Sequence, residues 1–401
     1  MKLHKTILLS LLFTSLSSKA NDVELLLKGG FDFQAGYFSS NAPKKSDNDA
    51  TAKPNYITQN QKNLAFLSTA YVGITAQNTL ESGFIYGAKI ALDTTTKSSR
   101  KMQSCIFMEN YAGRVELGSE KSAMSKMRIT PYSVAAGPGD AWDMWVKTDP
   151  VGAKDQQIPY ATGFSNFLDQ KMRASGRVEY SRKVTYYTPE FYGFQIGVSY
   201  IPDSSNVGYS EIKDESIRYT PSRSKYYFTV RNGFASGITY SKEFSKDTKL
   251  KLSFVNETGK VVAKPKDPNT TVPYDFGYLN TYNFGAQLTM GKVSIAASYG
   301  DYMRSLTTKD QLRRKTQIYG VGAKYAWDKD LSTSITYVKS EHMKNQIYAI
   351  TLGADYKLAP GLLPYAGITY FSTNGKYNHS QDEKPSVHKG VIGIVGTKLE
   401  F

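Results

Sequence analysis

The sequence predicts an all-β chain, a 16-stranded antiparallel transmembrane β-barrel, on three observations. The first is the last dozen residues. Counting back in twos, Phe401, Leu399, Thr397, Val395, Gly393 and Val391 share one face, while Glu400, Lys398 and Gly396 fall between them. That is a period-2 strand with one face suited to lipid and one to water. It finishes on an aromatic residue, as a strand ending in a membrane-surface girdle does; an ordinary edge strand with an accidental terminal Phe is the competing reading. The second observation is that the same alternation recurs in segments of about 10 residues, the length of a tilted strand crossing a bilayer. The third is a mean hydropathy of −0.42 despite 30 tyrosines. Such a value reads as soluble, but a barrel gives it too, because lipid-facing and water-facing residues cancel.

Composition closes off several other classes. A chain of 401 residues has room for one large barrel or for two to three ordinary domains. The single cysteine, Cys105, rules out a disulfide framework, a Cys-rich zinc site or a Cys-x-x-Cys pair within one chain. A net charge of +15 would suit nucleic acid or anionic lipid. The basic residues are scattered rather than clustered, which argues against nucleic acid. At the N-terminus, Lys2, His4 and Lys5 precede a short apolar run, Ile7 to Leu16, and then Ser18-Lys19-Ala20. That order predicts a signal peptide over residues 1–20, cleaved after Ala20. The run is too short to span a bilayer, and no later segment approaches the roughly 20 apolar residues of a transmembrane helix.

The first strand is expected from about Val23 to Phe38, with Phe31, Phe33, Ala35 and Tyr37 on one face and Asp32, Gln34 and Gly36 on the other. A polar loop follows, then strands near Leu64–Ala76 and over Phe84–Leu92, where Lys89 alternates to the wet face. A fourth strand at Cys105–Asn110 turns through Tyr111-Ala112-Gly113 into a fifth at Arg114–Gly118. From Glu109 to Gly118 the sequence resembles the segment of Gram-negative general porins that precedes their third loop. Farther on, Lys183-Val184-Thr185-Tyr186-Tyr187-Thr188-Pro189-Glu190-Phe191-Tyr192-Gly193-Phe194 resembles the porin strand–turn–strand pattern. Pro189 fixes φ at a turn and cannot donate within a ladder. The C-terminal strand resembles the closing strand of the same proteins.

Between these matches, residues of about 119–175 show no convincing alternation. A stretch that long inside a compact domain points to a functional loop. The resemblance implies a third loop folded into the barrel; a surface excursion or small subdomain is the alternative. A seventh strand is expected from Phe194, a loop over Pro202–Gly233, an eighth strand near Phe234–Phe244 and a ninth around Leu250–Phe254. Regular strands then follow at Tyr282–Met290, Val293–Tyr299, Tyr319–Trp327, Leu331–Ser340, Tyr348–Leu358 and Leu362–Ser372 before the closing one. Short turns alternate with longer loops, and the even total lets the sheet close, as lipid demands. Sixteen strands leave a water-filled lumen. Three positions sit awkwardly in this register: Arg182 faces outward, and Ile392 and Ile394 face inward.

No catalytic, cofactor or metal-binding constellation emerges. The four histidines have no metal-ligand spacing, and no nucleophile elbow or phosphate-binding loop is present. The expected function is passive diffusion of small hydrophilic solutes and ions; a surface protein or adhesin anchored by its barrel is the alternative. The resemblance implies a homotrimer in outer-membrane lipids, with Phe401 read by the barrel-assembly machinery. It also implies a pore constriction in which acidic loop residues face basic wall residues. Candidates are Asp140, Asp143, Lys147 and Asp149 on the loop, with Lys89, Arg177 and Lys183 on the wall. Bases slightly outnumber acids over the inward wall and the loop, which predicts mild anion preference at low salt, screened over about 8 Å at physiological ionic strength.

Overall fold

Each strand pairs antiparallel with its sequence neighbour, and the last returns to the first, giving one closed barrel of sixteen strands. The computed structural model describes residues 23–40, 64–93, 101–145, 181–204, 226–265, 278–303, 305, 316–342, 345–375 and 386–401. The strands are β1 (Glu24–Ser40), β2 (Leu64–Thr79), β3 (Ile85–Asp93), β4 (Lys101–Asn110), β5 (Gly113–Ser119), β6 (Lys183–Tyr187), β7 (Phe194–Asp203) and β8 (Tyr226–Ser245). They continue as β9 (Thr248–Pro265), β10 (Leu279–Met290), β11 (Val293–Asp301), β12 (Thr316–Ala326), β13 (Leu331–His342), β14 (Asn345–Tyr356), β15 (Leu362–Gly375) and β16 (Ser386–Glu400). The connection from β5 to β6, here L3, carries two short helices, α1 (Ala123–Met127) and α2 (Trp142–Trp145), and a 3-10 turn (Pro131–Val134) between them. The expected signal peptide, residues 1–20, lies outside the described residues.

Alternation fixes which face is which. Phe33, Phe66, Phe194, Phe254, Phe284 and Val395 are all exposed on the outer face. Cross-strand aromatic pairs knit that face: Phe33 and Phe66 stack with centroids 5.7 Å apart, and Phe254 and Phe284 lie at 4.7 Å. Between them Gln34, Thr185, Ser199, Ser253 and Thr351 point inward and are buried. One end of the barrel carries the short turns and the paired ends of β1 and β16. There Tyr111, Phe191, Tyr192, Trp327 and Phe401 stand exposed as an aromatic rim. At the β6–β7 turn, Tyr192 and Gly193 take φ of 50° and 83°, and Phe191 and Phe194 exchange backbone hydrogen bonds of 2.8 and 2.9 Å. Two successive left-handed residues define the tight hairpin that matches strand twist.

The barrel closes at residues far apart in sequence. Gly30 pairs with Glu400, and the register runs up to Ser40 opposite Gly390. Beyond it, Gly29 and Phe401 exchange two backbone bonds, 2.8 and 3.0 Å. A side chain at Gly29 would collide with the Phe401 ring, 2.5 Å from the Cβ position; the missing side chain lets the terminal aromatic fold over the seam.

Several boundaries depart from the sequence reading. The fourth strand begins at Lys101 rather than Cys105, and β9 continues to Pro265. The loop expected over Pro202–Gly233 is strand at its end, because β8 starts at Tyr226. A register shift between Arg231 and Phe234 explains this, with Asn232 at φ 49°. A bulge inserts an extra residue and breaks the period-2 signal on either side. β8 and β9 also continue beyond the described ends of their neighbours. Tyr226–Thr229 lies past the end of β7, and Val261–Pro265 lies past the start of β10.

Candidate functional site

Glu120 opens L3 at the lumen face of β5. Its carboxylate accepts from Lys89 of β3 at 2.8 Å and lies 3.9 Å from Lys126 of α1. Lys126 also reaches Glu116 of β5 at 2.6 Å, and Arg114 bridges Glu116 and Glu109, each at 2.9 Å. The ladder is asymmetric. Glu116 and Glu120 sink into the wall, with side chains 6% and 4% exposed, while Lys89, Arg114 and Lys126 keep 37%, 34% and 29%, and Glu109 at the far end keeps 42%. Burial alone would raise the Glu120 carboxyl, but Lys126, Lys89 and the Lys121 amide overcome it and hold it below the ordinary range. Lys183 closes the root from behind. It is buried, donating to the Glu120 carbonyl and, at 2.7 Å, to the Ser181 carbonyl.

From this root the described part of L3 follows the inner wall strand by strand. The Ser122 hydroxyl caps α1 by accepting from Ser125. The Ala123 amide donates to Ser199 Oγ of β7 at 2.8 Å, and Ile129 donates to Ser253 Oγ of β9 at 3.1 Å. Ala136 donates to Ser334 Oγ of β13 at 2.8 Å, and Gly137 donates to Asp355 Oδ2 of β14 at 2.9 Å. Inward serines thus satisfy backbone groups that a buried loop would otherwise leave unpaired. The path ends at α2, where Trp145 Nε1 donates to Gln34 Oε1 of β1 at 3.0 Å and Trp142 Nε1 donates to Tyr132 Oη at 3.1 Å. Trp142 and Trp145 pack with Phe38, Phe371, Ile392 and Ile394 in one buried cluster. That accounts for the two inward isoleucines of β16: they meet the tryptophans of L3, not water.

Asp140 lies between Pro138 and α2, and its side chain is exposed. Nearby, Asp32 accepts from Tyr365 Oη at 2.6 Å, and Lys398 lies 5.1 Å over the Tyr365 ring.

Of the sequence candidates, Lys89, Lys183 and Asp140 are therefore on the lumen side, Lys89 and Asp140 open to it and Lys183 sealed beneath L3. Asp143 sits in α2. Lys147, Asp149 and Arg177 lie outside the described residues. From sequence alone Glu120, Lys126 and Arg128 are only charges within a long loop, because a segment without a period gives no facing. Among the described residues no group of His, Cys, Asp and Glu could hold a metal ion.

A Gram-negative porin profile matches residues 7–376. The chain belongs to the Gram-negative porin family. It is an outer-membrane channel built on the closed barrel described above. The porin is 32% identical to an uncharacterised protein of Rickettsia conorii, over 95% of this chain and 93% of that one. It is 33% identical to one of Rickettsia bellii, over 95% and 94%. Among solved structures, the anion-selective porin from Comamonas acidovorans superposes with a TM-score of 0.60 at 14% identity, covering 95% of this chain and all of that one. The DcaP channel of Acinetobacter baumannii gives 0.55 at 13% identity, covering 96% and 99%. OmpT of Vibrio cholerae in its trimer form also gives 0.55 at 13%, covering 95% and 100%. At such identities these three speak for the fold.

Proposed function

We propose that this porin passes small hydrophilic solutes and ions by passive diffusion through a lumen narrowed by L3, with a mild preference for anions. The observation that carries the reading is the ladder at the L3 root. Two of its three carboxylates, Glu116 and Glu120, are buried and satisfied, whereas its three cationic heads reach the water. A passing ion therefore meets more positive than negative charge, because exposed charge acts on it directly and neutralised charge does not.

In this reading Lys89 and Asp140 border the narrow zone, and Asp143, Lys147, Asp149 and Arg177 complete it. Residues 1–20 direct export and are removed. Three copies assemble in the outer membrane after the assembly machinery engages Phe401. No catalytic step is required.

The test is conductance in planar bilayers. Shortening L3 over Pro131–Pro159 should raise single-channel conductance and admit larger sugars. A correctly folded variant with unchanged conductance would remove L3 from the pore. In a salt gradient the intact channel should show an anion-selective zero-current potential that fades as salt rises. A strongly cation-selective wild type would overturn the preference.

A further inference from the structure

The wall under L3 is built of missing side chains. Gly353 of β14 pairs with Gly367 of β15, which pairs with Ile394 of β16, which pairs with Gly36 of β1. All are inward positions. L3 lies directly on this row. Built side chains would drive the Gly353 Cβ into the Ala136 carbonyl oxygen, and those of Gly367 and Gly36 to 2.5 Å from the Pro138 ring and the Trp145 indole. The same happens earlier on the path, where Gly285 would stand 2.5 Å from the Ile129 carbonyl oxygen and Gly322 would press on that of Pro131. Where the wall does carry side chains beneath the loop, Ser253 and Ser334 hydrogen-bond its backbone. The row is thus a shallow gutter, floored by glycine and pegged by serine hydroxyls.

We propose that Gly285, Gly322, Gly353 and Gly367 are positioning residues that set the pore's cross-section from behind L3. None touches a solute. Each lets the loop backbone sink by the depth of one side chain, and the width left to solutes grows by that depth. These glycines have ordinary negative φ, so alanine suits the backbone and the cost of substitution is steric. Carbon contacts are comfortable at about 3.5–4.0 Å, so a Cβ would push the loop roughly 1 Å toward the lumen axis. The wall behind cannot yield equally, because its strands are held on both sides by ladder bonds.

The inference rests on the reading of L3 as the constriction, and the experiment separates the two. Gly322→Ala and Gly353→Ala should each lower single-channel conductance and shift the polyethylene-glycol exclusion limit to smaller polymers. The double variant should lose more than either. Gly393→Ala, on the outer face with nothing within 4 Å of its Cβ position, should match wild type in both readouts. Heat-modifiable mobility and melting temperature report folding separately, so a variant that is merely unstable is recognised by those measures. If shortening L3 raises conductance while folded Gly322→Ala and Gly353→Ala leave conductance and exclusion limit at wild type, the gutter proposal is wrong and the constriction stands. If shortening also has no effect, both are wrong. An increase in conductance in the alanine variants would show L3 detaching rather than advancing, and would likewise overturn the proposal.

Discussion

Trp145 donates its indole Nε1 to Gln34 Oε1 at 3.0 Å, tying the far end of the described L3 path to the first strand across 111 residues of sequence. Gln34 in turn donates to Asp32 Oδ2 at 3.1 Å, and Asp32 accepts from Tyr365. A buried amide is thus engaged at both of its ends, which fixes its orientation. Trp145→Phe keeps most of the packing but strips the donor, leaving a buried carbonyl unpaired at a cost of about 1–3 kcal/mol. The expected result is a lower melting temperature and a noisier open-channel current at unchanged strand content. A quiet current and wild-type melting would show that the cluster of Ile392, Ile394 and Phe371 holds α2 by itself.

Deleting Phe401 removes both bonds to Gly29 and the ring that caps the seam while leaving the earlier strands intact. Outer-membrane levels of folded protein should fall and periplasmic degradation should rise. Wild-type levels of folded barrel would contradict the reading of this residue as the assembly signal.

Neutralising the exposed side of the ladder should move selectivity. Lys89→Gln is expected to shift the zero-current potential toward cations. It should do so more strongly at low salt, because the lost charge is partly exposed and screening would have weakened it. Lys183→Glu is a different experiment. It places a buried carboxylate against two carbonyl oxygens, and the expected outcome is failure to fold rather than altered selectivity.

Acid should loosen the L3 root through Glu120. Its folded-state value is depressed, so the stabilisation is full above the ordinary glutamate value of 4.5 and is lost as pH falls through the lower folded value. Wild type should therefore melt progressively earlier below about pH 4.5. Glu120→Gln should melt earlier than wild type at neutral pH and converge with it in acid. Parallel melting curves across the whole range would mean that Glu120 carries no linked proton.

Much of the barrel was legible because lipid and water impose opposite demands on alternate residues, and the outer rows of Phe33, Phe284 and Val395 record that demand directly. The pattern failed where the backbone itself changes period. The bulge at Asn232 hid the first third of β8, and L3 has no period at all. Residues there are chosen to fit a wall contributed by β7 to β16 and β1, so their facing depends on partners hundreds of positions away. Ile392 and Ile394 show the difficulty from the other side. Their inward parity was correct, yet apolar side chains in a wet lumen made no sense until Trp142 and Trp145 were seen to cover them. The glycines of the wall gave no signal either, since an inward glycine in a strand looks the same whether or not a loop rests on it.

Past the described ends of β7 and β10, β8 and β9 continue paired to each other for roughly 17 Å at about 3.3 Å per residue. Five strands farther round the wall, β13 and β14 pair out to His342 and Asn345 and are joined by residues 343–344 alone. The described strands thus end at unequal lengths around the barrel, and the longest hairpin is the one whose backbone is bulged.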